Sequence, residues 1–161
     1  MVTIPDAAYL SARVRQEIAV SDWIEIAQDR IDRFADATGD HQWIHVDPVR
    51  AAAESPFKAT IAHGFLTLSL ISLMKRQTIE FANLQLAINY GLNRVRFVTP
   101  VPAGSRVRAR FTVGGVEEIG GGRLQVTWHV AVELEGSRKP ACIVEWLIRY
   151  HLKGMGRGTE K

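Results

Sequence analysis

The stretch HGFLTLSLISLMKRQTIE, residues 63–80, is apolar on nearly every side until Lys75 interrupts it. A helix that is apolar nearly all round is a buried helix, because a surface helix keeps one polar face. We therefore predict a long helix that other elements enclose. Glycines at 114–115 and 120–122 predict a connection between downstream strands. Alternating apolar and polar residues predict those strands over residues 94–97, 106–113, 124–134 and 142–152.

The N-terminal region carries a helical pattern followed by a short apolar run. Leu10, Val14 and Ile18 are spaced four apart, which predicts one amphipathic helix over residues 6–20. Residues 23–26, with the sequence WIEI, predict a short strand. These elements add a layer to the central helix but carry no obvious chemistry.

Two further helices are predicted between this region and the central helix. Residues 28–38 place their apolar side chains on one helical face, and Gly39 is the natural C-terminal stop. Asp47 and Pro48 predict a capping residue and a first helical residue for a short helix that ends at Glu54.

The order of these elements predicts an α+β fold in which an antiparallel sheet wraps over one long helix. We expect a single domain over residues 1–152, including the N-terminal helix, and a flexible tail over residues 153–161. A sheet of this kind has free edges and a second face to protect. A two-fold partner that continues the sheet solves both problems, so we expect a homodimer.

Composition narrows the functional classes. The chain has 161 residues, of which 47% are hydrophobic and 23% charged, as in ordinary soluble domains. Its net charge of +3 is too small to indicate a nucleic-acid partner, and no apolar run is long enough to cross a membrane. Asp6 replaces the basic start of a secretory leader, and the single Cys142 builds no disulfide framework, so we expect a cytoplasmic protein.

The segment DHQWIH, residues 40–45, follows a predicted helix stop and is rich in reactive side chains. Asp40 and His45 are not fixed to one helical face, so both can converge on a single water molecule as an acid/base pair. A structural interpretation stays open as well: an aspartate after glycine commonly caps a turn, and a histidine among apolar residues is often satisfied within the core.

His63 and Gly64 stand at the start of the central helix, where free backbone N–H groups and the positive end of the helix dipole meet. A carbonyl oxygen can dock on the Gly64 N–H because no side chain obstructs it. Alternatively, Gly64 only lets the chain turn into the helix. Ser69 and Ser72 lie further along, and hydroxyls in apolar helices usually bond to a backbone carbonyl.

An arginine-rich region without acidic residues follows the central helix. It favours a solvated sheet face, with a phosphate-bearing ligand as the alternative. Phe97 and Phe111 are predicted on the opposite face, where they cannot stack bases between the arginines, so nucleic acid is not expected. The sequence has no glycine-rich phosphate loop, no HExxH and no cysteine pair, so we expect neither a metal nor a cofactor. The residues of this arginine-rich region, called the arginine cluster below, are Arg94, Arg96, Arg106, Arg108 and Arg110.

Three ordered blocks, FADATGD (34–40), IHVDP (44–48) and IAHGFL (61–66), resemble the hydratase motif of the MaoC-like dehydratases, the (R)-specific enoyl-CoA hydratases. The resemblance covers residues 28–76 in register and extends more loosely to residues 92–108. Many members have Asn-Pro where this chain has Gln42 and Trp43, and the form GDHQWIH resembles the nodulation protein N-like branch. The bulk of Trp43 is expected to narrow the acyl pocket.

The resemblance implies a hot dog fold, dimeric, with a long central helix inside a curved antiparallel sheet. It implies that Asp40 and His45 form the catalytic pair and that the Gly64 N–H, next to His63, holds the thioester carbonyl. Ser72 matches a serine that some members place near the catalytic aspartate. The implied reaction is hydration of a trans-2-enoyl thioester to the (R)-3-hydroxyacyl thioester, or its reversal, with no cofactor and with an acyl-CoA or an acyl carrier protein thioester as substrate.

Two other functions remain open at this point. A thioesterase on the same fold would hydrolyse the thioester and leave the double bond alone. A non-catalytic acyl-thioester-binding protein would keep the pocket without turnover, although it has no need for both Asp40 and His45. The acyl chain, the carrier and the physiological direction are not determined by the sequence.

Overall fold

The computed structural model describes residues 1–153, and residues 154–161 lie outside the described part. The predicted flexible tail, residues 153–161, therefore falls outside it except for Lys153. The helices are α1 (Ala7–Ser11), α2 (Gln28–Thr38), α3 (Trp43–Val46), α4 (Pro48–Glu54) and α5 (Gly64–Thr78). The strands are β1 (Val2–Ile4), β2 (Glu17–Val20), β3 (Ile24–Ile26), β4 (Ile79–Phe81), β5 (Leu84–Phe97), β6 (Ser105–Glu118), β7 (Arg123–Leu134) and β8 (Cys142–Leu152).

One antiparallel sheet carries most of the structure. Its strands follow the order β2-β6-β7-β8-β5, β3 also pairs with β6, and β1 and β4 form a separate parallel pair. Strands β6, β7 and β8 alternate between buried and more exposed residues, because one face of each lies on the core. Strand β5 is at the edge of the sheet and stays largely exposed on both faces.

Helix α5 packs on the buried face of this sheet. Leu66, Leu70, Ile71 and Met74 enter the same apolar cluster as the inward residues of β6, β7 and β8. Within that core, the Trp128 indole N–H donates a hydrogen bond of 3.0 Å to the Tyr150 hydroxyl, so both buried polar groups are satisfied. The predicted α+β arrangement of one long helix under an antiparallel sheet is confirmed.

The predicted ends of the smaller helices are confirmed too. Helix α2 covers residues 28–38 and ends at Gly39, whose φ of 77° is the left-handed conformation that glycine adopts without strain. Helix α4 begins at Pro48 after Asp47, whose carboxylate accepts a hydrogen bond of 2.9 Å from the Arg50 N–H. Local capping chemistry therefore sets both boundaries.

The predicted helix over residues 6–20 is wrong. Asp6 caps a helix of five residues, α1, and the chain then passes through Arg15, with φ of 69°, into strand β2. Residues of β2 pair with β6, and the Arg15 N–H donates to the Val113 carbonyl at 2.7 Å. Pairing with the sheet satisfies more backbone groups than a short isolated helix, which is marginal in water.

Two strand predictions need correction. Strand β5 begins at Leu84, ten residues before the predicted start, and the prediction overlooked the alternation of Leu84, Leu86, Ile88, Tyr90 and Leu92 with smaller or polar residues. Gly114 and Gly115 lie inside β6 at a register shift, not in a connection; only the glycines at 120–122 mark the turn. A Cβ at Gly114 would stand 2.7 Å from His129 Nε2, so close approach explains this glycine.

Burial of α5 also differs from the prediction. One side of the helix is open beside β5: Phe65 is 69% exposed, Ser69 is exposed and Leu68 is half-buried. Lys75, predicted to begin a polar stripe, is instead buried with 9% exposure. No helix among residues 1–153 is both long and apolar enough to cross a membrane.

Candidate active site

The His45 imidazole is fixed by a backbone carbonyl. His45 lies in the short helix α3 and is buried, and its Nδ1 stands 2.6 Å from the Ile61 carbonyl oxygen. Because a carbonyl only accepts, Nδ1 carries the hydrogen, which leaves Nε2 of the neutral ring with a free lone pair. Burial lowers the pKa of His45 and outweighs the hydrogen bond to Ile61, which raises it; His63 lowers it further and Asp40 raises it.

His63 links the segment that contains Asp40 and His45 to the central helix. Its ring stacks on that of His45 with 3.8 Å between the ring centroids, and its Nε2 donates a hydrogen bond of 2.9 Å to the Asp40 carbonyl oxygen. His63 is 3% exposed, and its Nδ1 has no hydrogen-bond partner among the described residues. This contact fixes the loop that follows Gly39.

The structure brings Asp40, His45 and His63 together. One nitrogen or oxygen from each side chain lies within 4.8 Å of the other two. The Asp40 carboxylate is 56% exposed, whereas both imidazoles are buried, so the aspartate faces the solvent side of the cluster. One water molecule can bridge two polar atoms that are about twice a hydrogen-bond length of ~2.8 Å apart. A separation of no more than 4.8 Å is therefore short enough for a water molecule to bind both groups. The pair expected to share a water therefore has suitable geometry.

Asp40, His45 and His63 are also of residue types that bind metal ions. Nδ1 of His45 and Nε2 of His63 are both committed to backbone carbonyls and carry hydrogens. The two rings are stacked at an interplanar angle of 27°, so their remaining lone pairs do not converge on one point. The cluster fits a proton-transfer site better than a coordination site.

Gly64 is the first residue of α5, so its N–H has no partner within the helix. A cavity of about 180 Å³ opens here and is lined by His45, Gly64, Thr67 and Phe97, among others. A Cβ on Gly64 would stand 2.8 Å from the Phe97 ring, so any side chain at this position would force that ring to move. Phe97, predicted on the buried face of its strand, is instead half-exposed and covers the start of the helix.

Two predicted contributors lie elsewhere. Ser72 lines a different cleft, between α5 and β5, where its hydroxyl accepts a hydrogen bond of 3.5 Å from Asn89. It does not line the cavity that contains His45 and Gly64. Trp43, expected to narrow the acyl pocket, lies under the Arg50 guanidinium at 4.4 Å and does not line that cavity either.

Most of the arginine cluster is neutralised. Arg106 pairs with Glu135, Arg108 with Glu133, and Arg110 with both Glu17 and Glu133. Hydrogen bonds that the guanidinium groups donate to these carboxylates raise the pKa of Arg106 and of Arg110. The prediction of a solvated sheet face therefore holds for Arg106, Arg108 and Arg110.

Arg94 and Arg96 form no ion pair among residues 1–153 and stand on β5 close to Phe97. They are the members of the arginine cluster still available to a phosphate group.

Sequence analysis missed Gln28, which holds the segment of His45 in place. Its side-chain amide donates to the His45 carbonyl at 2.7 Å and accepts from the Thr60 hydroxyl. Gln28 thus joins the start of α2 to α3 and to the chain before α5. A glutamine at a helix start carries no recognisable motif, so only the tertiary contacts identify it.

Comparison with known proteins identifies the family. A family model described as MaoC-like domain matches residues 10–134. The chain belongs to the MaoC-like family. The hot dog fold expected from the resemblance is confirmed, since solved MaoC-like structures superpose on this chain. Among them is an unliganded R-hydratase, PhaJ1, from Pseudomonas aeruginosa, with a TM-score of 0.63 and 27% identity over 84% of this chain and 79% of that one.

Relatives of known name extend this result. The chain is 53% identical to 3-hydroxyacyl-thioester dehydratase Z of Mycobacterium tuberculosis over 150 residues, 93% of this chain and 99% of the relative. It is 50% identical to Nodulation protein N of Rhizobium leguminosarum bv. viciae over 141 residues, 87% of this chain and 88% of the relative. The resemblance predicted the MaoC-like family and its nodulation protein N-like branch. The family model confirms the first, and the similarity to Nodulation protein N confirms the second.

Proposed function

We propose that this protein is a hydratase that adds water to a trans-2-enoyl thioester to form the (R)-3-hydroxyacyl thioester, and that it catalyses the reverse dehydration. The observation that carries the proposal is the convergence of the Asp40 carboxylate and a ring nitrogen of His45 within 4.8 Å, beside the open start of α5. The names of the relatives, a 3-hydroxyacyl-thioester dehydratase and an R-hydratase, support the same reaction class.

The proposed chemistry uses His45 as the base. Asp40 accepts one hydrogen of the water and orients it, and His45 Nε2 takes a proton as the water oxygen bonds to C3 of the substrate. The C2–C3 π electrons move onto C2 and the thioester carbonyl, and the His45 imidazolium returns the proton to C2. A neutral imidazole is required at the outset, and the lowered pKa of His45 keeps it neutral at neutral pH.

The Gly64 N–H is proposed to hold the thioester oxygen as negative charge develops on it. The N–H belongs to the first turn of α5, where the helix dipole adds to its effect. The 180 Å³ cavity places this donor and His45 on the walls of one space. The reaction needs no cofactor in this scheme, and the carrier is proposed to be coenzyme A or acyl carrier protein.

A second copy of the chain is proposed to cover β5. This strand of 14 residues ends the sheet and exposes Leu86, Ile88 and Tyr90 to between 43% and 53%. Long apolar edge strands favour pairing with another chain, and pairing β5 with its copy would continue the sheet. The open side of α5 lies next to this edge, so the same partner would cover it.

Hydration of crotonyl-CoA, followed by the loss of enoyl absorbance, tests the catalytic pair. Asp40→Asn and His45→Gln are each expected to lower kcat by roughly 100- to 10,000-fold, the usual contribution of a positioned acid or base. Circular dichroism checks that both variants are folded. Wild-type rates in either folded variant would contradict the assignment.

A matched pair of substitutions tests the Gly64 N–H. Proline is tolerated at the first position of a helix, and His63, with φ of −57° and ψ of 137°, has the conformation required before proline. Gly64→Pro removes the N–H, whereas Gly64→Ala keeps it and adds the same Cβ near Phe97. The proline variant is expected to be roughly 100- to 1,000-fold slower than the alanine variant. Equal rates would remove Gly64 from the mechanism.

Product analysis separates the two rival functions. Thiol release from a saturated acyl-CoA would indicate a thioesterase. Tight binding of the acyl-CoA without hydration or thiol release would indicate a binding protein. Chiral analysis of the 3-hydroxyacyl product tests the proposed (R) configuration.

A further inference from the structure

Three neighbouring cavities follow one another between α5 and β5, starting at Gly64, and this row of cavities is called the α5–β5 cleft. The helix and the strand run in opposite directions, so successive turns of α5 face successively earlier residues of β5. The 180 Å³ cavity at Gly64 and Phe97 is followed by one of about 230 Å³ between Leu68 and Leu92, and then by one of about 360 Å³ between Lys75 and Leu84. The last two share Ser72, Asn89 and Trp146 as walls.

The far end of this cleft contains an unpaired buried cation. Lys75 is 9% exposed and lines the 360 Å³ cavity. Its Nζ lies 4.8 Å from the centre of the Tyr150 ring and 5.3 Å from that of Phe81. Among residues 1–153 it forms neither an ion pair nor a hydrogen bond. Nζ is not one of the fully buried unpartnered atoms of residues 1–153, so it reaches the cavity, where an anionic ligand could pair with it.

The nearby charged groups do not supply the missing partner. Glu80 is the one carboxylate that lines this cavity in the described part of the chain, and it accepts a hydrogen bond of 2.7 Å from Thr3 instead. Arg76, also on the wall, is exposed and adds positive charge. Burial lowers the pKa of Lys75 to about 8, so the amine is still mostly protonated at neutral pH.

We propose that the far end of the α5–β5 cleft binds a carboxylate at the distal end of the acyl group, so that the substrates include thioesters of dicarboxylic acids. The inference rests on the proposed function, because it needs the thioester to sit at Gly64. Lys75 follows Gly64 by eleven residues, about 16 Å along a helix, and its side chain leans back toward the helix start. The middle of the cleft, with Leu68, Leu92 and Trp146, suits the methylenes between the two ends.

Equilibrium binding tests the inference without turnover. The probes are saturated ω-carboxyacyl-CoA and the methyl ester of the same compound, which removes only the charge, in a series of increasing chain length. Calorimetry on the full chain in its native oligomeric state measures both affinities for wild type, Lys75→Met and Lys139→Met. Wild type is expected to prefer the carboxylate at one chain length. Lys75→Met is expected to reduce that preference by on the order of 10- to 100-fold, the effect of removing a charged hydrogen-bond partner.

Lys139→Met is the matched control, because it removes the same charge by the same substitution at an exposed residue that lines none of the three cavities. It is expected to retain the wild-type preference. Loss of the preference in Lys139→Met, or an unchanged preference in Lys75→Met, would overturn the inference. The latter result would follow if a second copy of the chain placed its own carboxylate on Lys75.

Kinetics with the corresponding trans-2-enoyl thioesters distinguish this inference from the proposed function. If the ω-carboxy enoyl thioester and its methyl ester are hydrated at equal kcat/KM, the carboxylate site is overturned and the hydratase function stands. A carboxylate preference in binding without hydration of any enoyl thioester supports the site and overturns the hydratase.

Discussion

Replacing the buried amine of Lys75 by an apolar side chain of similar length is expected to stabilise the protein. Lys75→Met keeps the aliphatic stem in place and removes a charge that has 9% exposure and no carboxylate partner among residues 1–153. Such a group lowers the free energy of unfolding of the protein, and we attribute its presence to ligand binding at the end of the α5–β5 cleft.

The size of the effect follows from the pKa of Lys75. Burial lowers this pKa from 10.5 to about 8, and one pKa unit corresponds to about 1.4 kcal/mol, so the buried ammonium costs about 3 kcal/mol at neutral pH. The contacts of Nζ with the rings of Phe81 and Tyr150 return about 1–2 kcal/mol of this. The free energy of unfolding of Lys75→Met should therefore exceed that of wild type by about 1–2 kcal/mol, which raises Tm by roughly 2–8 °C.

The pH dependence has a definite sign. Below pH 8 the amine is charged in both folded and unfolded protein, and the full cost is present. Between about pH 8 and 10.5 the folded amine loses its proton before the unfolded one, so the wild type gains stability relative to Lys75→Met as the pH rises. Tyr150, which contacts the amine, has a pKa raised well above its usual value by burial and stays neutral in this range. Glu80 and Arg76 are the other charged groups on the wall of this cavity.

Urea unfolding at matched protein concentration, at pH 7 and at pH 9.5, measures both effects. Matched concentration is needed because the stability of an oligomer depends on it. A Lys75→Met variant that is less stable than wild type at pH 7, or a difference that does not shrink at the higher pH, would refute the argument. Either result would mean that the Lys75 ammonium has a partner that compensates its burial.

Three other perturbations have defined outcomes. NMR titration should give the His45 imidazole a pKa below 6.5, and Asp40→Asn should lower it further because the removed charge favours the imidazolium; an increase would contradict the cluster geometry. Ile88→Lys on β5 should halve the mass measured by light scattering, whereas Val49→Lys, at an 83% exposed site on α4, should not; an unchanged mass in the first variant would place the interface elsewhere. Tyr150→Phe should lower the free energy of unfolding by about 1–2 kcal/mol, because it strands a buried indole N–H; thermal unfolding that matches wild type would show that this bond adds nothing.

Local patterns were sufficient for much of the architecture. The stop at Gly39 and the cap at Asp47 act within one helical turn, and both were predicted at the residues where the structure has them. The long strands β7 and β8 were predicted with nearly correct bounds, since alternation with period two directly reflects which face is buried. The convergence of Asp40 and His45 was proposed from their spacing and their family motif, and the structure places them within 4.8 Å.

Errors arose where a distant segment decides the outcome. Residues 6–20 have helical spacing, but pairing with β6 turns their second half into strand β2. Strand β5 was missed over residues 84–93 although apolar residues alternate there, and its pairing with β8 is what establishes the strand. Ser72 matched a family position, yet the cleft it lines is separate from the cavity of His45.

The sequence by itself determined the family, the central helix and the order of the long strands, and it was enough to propose Asp40 and His45 as the acid/base pair, because periodicity, caps and motifs are properties of neighbouring residues. Tertiary structure alone decided which ring nitrogen of His45 is free, since the Ile61 carbonyl that holds the other nitrogen is 16 residues away in the chain. It also decided that Lys75 is buried, because the rings of Phe81 and Tyr150 that cover it come from two different strands. The chemical state of a side chain depends on what surrounds it in space, and those surroundings are assembled from distant parts of the chain.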